Sequence, residues 1–121
     1  MSQVLFKHQP EAEYFFAEGC YILETFNSPA DPDASIVRAR VAPGVTTRWH
    51  RLRDTAERYV ILSGTGEAGV GDETVLVGPG DVVLIPPMVD QRVRNTGDQD
   101  LVFLAVCTPR FNPDNYIAAD R

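Results

Sequence analysis

Residues 44–64 read Gly44-Val45-Thr46-Thr47-Arg48-Trp49-His50-Arg51-Leu52-Arg53-Asp54-Thr55-Ala56-Glu57-Arg58-Tyr59-Val60-Ile61-Leu62-Ser63-Gly64: two β-rich runs closed off by glycines. A second stretch, Gly80-Asp81-Val82-Val83-Leu84-Ile85-Pro86-Pro87-Met88-Val89-Asp90-Gln91-Arg92-Val93-Arg94-Asn95, repeats the design. Working outward, short runs of β-branched and aromatic residues predict strands over 20–26, 35–41, 47–52, 58–63, 67–70, 74–76, 82–85, 91–95 and 101–108. Turn chemistry separates them at Ser28–Asp33, Pro43-Gly44, Gly71-Asp72, Gly78–Asp81 and Asn95–Asp98. Many strands at close spacing with no helical period between them predict an all-β sandwich or barrel with little helix. The 121 residues make one domain.

Composition removes several functions. There are 11 Lys+Arg against 17 Asp+Glu, a net charge of −6, which argues against nucleic acid or an anionic membrane as partner. No apolar run approaches the ~18 residues of a membrane-spanning helix. Met1–His8 has neither a long apolar core nor a small-residue cleavage pattern, so a cytoplasmic location is expected. The 2 cysteines, Cys20 and Cys107, make no disulfide framework, and both are expected to be buried and inert. The 2 histidines, His8 and His50, exclude a site that takes three from one chain. Gly64-Thr65-Gly66-Glu67-Ala68-Gly69 fits G-x-G-x-x-G, but turn and strand residues follow it rather than the helix that would face a pyrophosphate, so hairpin glycines are expected.

The spacing of Gly44, His50, Leu52, Glu57 and Gly64, together with Gly80, Pro86, Met88, Gln91 and Asn95, resembles the two motifs of the cupin superfamily, G-x5-H-x-H-x3–4-E-x6-G and G-x5-P-x-G-x2-H-x3-N. The resemblance covers roughly residues 35–108. It implies a double-stranded β-helix, or jelly-roll, barrel of two antiparallel sheets, preceded by N-terminal strands within 1–34 and followed by a tail, 109–121. In the family, the histidines and glutamate of the first motif and the histidine of the second hold one divalent metal. Carried over, His50 and Glu57 are kept, Leu52 replaces one histidine, Gln91 replaces another, and Met88 replaces the glycine. The implied metal ligands are therefore His50, Glu57 and Gln91, a nitrogen and oxygen set suited to Fe, Mn, Ni or Zn. The alternative is a degenerate barrel that holds only an organic ligand.

Side chains alternate along a strand. An inward His50 carries Arg48 and Thr46 to its own face, Glu57 carries Tyr59, Ile61 and Ser63, and Gln91 carries Val93 and Asn95. Arg48 then serves as an anchor for an anionic substrate or as partner of a carboxylate such as Glu57. Tyr59 is a candidate proton donor or a packing tyrosine. Arg38 and Arg40 form an outward pair. Asn112 is expected to cap a short C-terminal helix begun by Pro113, and residues 11–18 read as a helical turn or an edge strand.

Three functions follow. The first is a metal-dependent enzyme on a small organic molecule, with non-redox isomerase, lyase or cyclase chemistry favoured over oxygenase chemistry. The second is a metal-free binding module for a small apolar or anionic ligand. The third, resembling the sugar epimerases of the superfamily, uses His50 as base and Tyr59 as acid. A homodimer is expected, because 4–6 and 20–26 offer apolar strand edge to a second copy.

Overall fold

The computed structural model describes residues 3–121. Among them lie eleven strands: β1 (Tyr14–Phe16), β2 (Cys20–Phe26), β3 (Ser35–Val41), β4 (His50–Leu52), β5 (Ala56–Ser63), β6 (Gly66–Val70), β7 (Glu73–Val77), β8 (Val82–Ile85), β9 (Gln91–Asn95), β10 (Leu101–Thr108) and β11 (Tyr116–Ala118). They form two sheets, ordered β1-β2-β3-β10-β5-β8 and β11-β4-β9-β6-β7, and every pairing is antiparallel. This is the jelly-roll barrel of two antiparallel sheets that the sequence implied. No helix among the described residues is long and apolar enough to cross a membrane.

Alternation decides the interior. Along β5, Glu57, Tyr59 and Ile61 are buried while Arg58 and Val60 are only half-buried. Along β10, Leu101, Phe103, Ala105 and Cys107 are buried, and along β9, Gln91, Val93 and Asn95. These faces meet in one core with Val41, Ile85 and Ala68. Each fully buried Ile, Leu or Val contributes about 1.5–3 kcal/mol. Asn95 ties the barrel end: its amide donates to the carbonyls of Val41 and Gln99, at 2.9 and 2.7 Å, and its Oδ1 accepts from Gly97 N.

Several expectations need correction. The strand predicted from Thr47 begins only at His50, because residues 47–49 leave the ladder: Thr47 N bonds Val93 O while Arg48 N turns to Glu18 O. Thr47 and His50 are both buried although three residues apart, so strict alternation fails there and Arg48 is exposed rather than inward. Ser63 is exposed as well. The 11–18 segment holds both of its readings in succession, a 3-10 turn over Pro10–Ala12 and then edge strand β1. That strand covers Cys20–Ile22 of β2, which removes part of the edge expected to meet a second copy. At the C-terminus Asn112 Oδ1 accepts from Asp114 N as expected, but the turn is 3-10, Pro113–Asn115, and it delivers the unexpected β11 against β4.

The nucleotide-like glycines are packing devices. A Cβ at Gly69 would lie 2.7 Å from Trp49, and one at Gly66 would lie 2.6 Å from the Arg94 carbonyl and 2.8 Å from Leu101 Cδ2. Gly66→Ala is therefore expected to cost about 1–3 kcal/mol, read as a fall of several degrees in Tm by calorimetry; an unchanged Tm would contradict this packing.

Candidate functional site

Between the sheets one end of the barrel opens into a cavity of about 330 Å³. Its floor includes His50 and Leu52 of β4, Glu57 and Tyr59 of β5, and Val93 of β9. Its mouth carries Tyr14 and Phe16 of β1, Phe111, and Tyr116 of β11. Alternation along β2 continues backward through its hairpin, so Glu18, Cys20, Ile22 and Glu24 all face the cavity. Glu18 and Tyr116 were missed by sequence reasoning. The signal for Glu18 was available, since it stands two residues before the buried Cys20; Tyr116 depended on a strand that the sequence does not announce.

His50 is buried, and its Nδ1–H donates to the Arg48 carbonyl at 2.9 Å. In the neutral ring this leaves the Nε2 lone pair as the acceptor. Burial holds the imidazole below its ordinary pKa, partly offset by that carbonyl bond and by Asp90. Tyr116 stacks on the ring with centroids 5.0 Å apart and planes 14° apart. The Glu18 carboxylate comes within 3.3 Å of Nδ1. Burial, reinforced by Glu57, pushes Glu18 up to about 8, and burial pushes Glu57 up to about 7 despite the Gln91 amide. Both cysteines are buried and free, as expected, and burial pushes Cys107 up to about 12, which keeps that thiol protonated and inert.

Gln91 sits opposite His50 in the β4–β9 ladder, fully buried, and its Oε1 accepts from the Tyr59 hydroxyl. The Gln91 Nε2 and Glu57 Oε1 atoms are both buried and make no hydrogen bond to any third group. The predicted residues His50, Glu57 and Tyr59 thus share one cavity, Gln91 stands behind its wall holding Tyr59, and Arg48 lies outside the lining. The divalent metal implied by the resemblance does not fit this donor set. Position 52 is an apolar wall, the Gln91 oxygen is committed to Tyr59, and among the described residues no three His, Cys, Asp or Glu side chains are grouped to hold a cation.

The raised carboxyls make stability depend on pH. Each binds a proton more tightly folded than unfolded, so its contribution is full below about 4.5 and is lost as pH rises through 7 for Glu57 and 8 for Glu18. His50 acts in the opposite sense only below its ordinary 6.5. Between pH 6.5 and 8 Tm should therefore fall, each carboxyl contributing at most about 1.4 kcal/mol per pH unit. Glu57→Gln and Glu18→Gln should each flatten that slope in thermal melts; a slope unchanged in both would refute the assignment.

The sequence profile described as the cupin domain matches residues 37–107. Glucose-6-phosphate isomerase of Pyrococcus horikoshii is 38% identical over 63 residues, 48% of this chain and 33% of that protein, so the chain spans about a third of the relative's length. Among solved structures, the Streptomyces nucleoside dehydratase Pac13, determined with uridine in three variants, superposes with a TM-score of 0.79 at 20% identity over 96% of this chain and 92% of that one. A predicted oxalate decarboxylase of Thermotoga maritima superposes with a TM-score of 0.69 at 26% identity over 74% of this chain and 80% of its own. The profile match over the strands that carry His50, Glu57 and Gln91, together with the barrel they build, makes this chain a member of the cupin family.

Proposed function

We propose that the chain is an enzyme of the isomerase or lyase class that moves protons on a small organic molecule held in the cavity, using its own side chains. The observation that carries this reading is the presence of a neutral imidazole, His50, and a buried carboxyl, Glu57, on the lining of one apolar chamber. His50 Nε2 takes a carbon-bound proton. Glu57, pushed up to about 7, can hold or return one near neutral pH. Glu18 and the Arg48 carbonyl fix the His50 tautomer, and Tyr116 fixes its plane. Tyr59, tied to Gln91, shapes the wall and orients the substrate. The isomerase and dehydratase named among the similar proteins support the reading, since both reactions need a positioned base and acid.

The test is incubation with pooled small carbonyl and hydroxyl compounds in deuterated water, followed by NMR for deuterium uptake or loss of water. Wild type treated with chelator should retain its turnover, and His50→Gln should lose about 10²–10⁴-fold. Full activity in His50→Gln, or a chelator loss restored by Fe, Mn, Ni or Zn, would overturn the proposal; the second result would favour the metal-dependent alternative instead.

We also propose a homodimer. Leu62, Val82 and Leu84 are 47%, 61% and 59% exposed on neighbouring strands β5 and β8. Strands β8 and β10 are near-continuous apolar runs, and β5 carries one over Tyr59–Leu62, the pattern of strands covered on both faces. A second copy apposed about a two-fold axis would bury this outer face. Sedimentation equilibrium at micromolar concentration should give twice the chain mass, and Leu84→Glu should give the chain mass; a wild-type monomer would refute it.

A further inference from the structure

We infer that the cavity selects a small organic cation, a protonated primary amine on an apolar body the size of one ring. This rests on the reading of the cavity as a small-molecule site and names the class of its occupant. Three carboxyls line the chamber, Glu18, Glu24 and Glu57, and among the described residues no Lys or Arg does. Glu57 is 9% exposed and lines the chamber, where it faces no Lys or Arg.

At about pH 8.5 both Glu57, pushed up to about 7, and Glu18, pushed up to about 8, are largely ionised, and an entering phosphate or carboxylate would meet like charges across an apolar lining. His50 offers no compensating charge: its one N–H is already donated to the Arg48 carbonyl. Arg48 itself is exposed and outside the lining. An ammonium group supplies what the site lacks, three donors and one positive charge. The ring faces of Tyr14, Phe16, Phe111 and Tyr116 at the mouth attract a passing cation and then pack against the apolar body. Leu52, at the position where the family has a ligand histidine, extends that apolar contact inside. The 330 Å³ volume lies at the small end of ligand cavities, which fits a single ring.

The test is calorimetric titration with three probes of one shape and different charge: 2-phenylethylamine, 2-phenylethanol and phenylacetate. In wild type at about pH 8.5 the amine should bind at least about ten-fold tighter than the alcohol, and phenylacetate most weakly. Glu57→Gln should remove the preference for the amine over the alcohol. Glu18→Gln, a second variant in case Glu57→Gln fails to fold, should reduce the preference in the same sense. If the alcohol or phenylacetate matches the amine, or if the amine's preference survives in both variants, the inference falls while the cavity remains a small-molecule site. If none of the three binds, both readings fall.

Discussion

Strand β10 pairs with β3 on one side and β5 on the other along nearly its whole length, from Leu101 to Thr108. That double pairing is the constraint from which the interior follows. It holds Phe103, Ala105 and Cys107 against the faces of β3 and β5 that carry Ala39, Val37, Tyr59 and Glu57. A slip of one residue in either ladder would exchange the buried set for Val102, Leu104 and Val106 and turn Glu57 and Tyr59 outward. The β10–β5 ladder departs from regular register only between Val102 and Phe103.

How far the sequence could be read depended on how local the causes were. Strands β2, β3, β8, β9 and β10 have the bounds their residue patterns predict, because β-branched runs ended by Gly, Pro or Asn are complete local signals. His50, Glu57 and Tyr59 reach one cavity because motif spacing and strand parity are both short-range. Arg48 was misread because parity holds only while the ladder holds, and residues 47–49 bond instead to β9 and to the β1–β2 hairpin. Strand β11 has three residues and no distinctive pattern; its pairing with β4 is fixed by tertiary contact that no window of sequence contains.

The replacements within the motifs act together. Leu52 turns a ligand position into a wall, and Gln91 gives its oxygen to Tyr59, so two changes that look separate in the sequence both favour an acid-lined organic chamber over a metal site. Met88, where the family has glycine, keeps the backbone turn that glycine usually makes: its φ is +65°. A side chain in that region costs on the order of 1 kcal/mol, so the turn is imposed by the strands on either side of it rather than by residue preference.

The aromatic wall over His50 is attached differently from the rest of the chamber. Tyr116 belongs to a three-residue edge strand, joined to the barrel through β4 alone and flanked by the bonds Arg53 N to Asn115 O and Ala119 N to Trp49 O. Tyr116 also meets Phe16 of β1 edge-on, so the wall over His50 joins two three-residue edge strands, one from each sheet and from opposite ends of the chain. The aromatic mouth is built outside the β3–β10–β5 ladders. Access to the base and rigidity of the barrel are thereby assigned to separate parts of the chain.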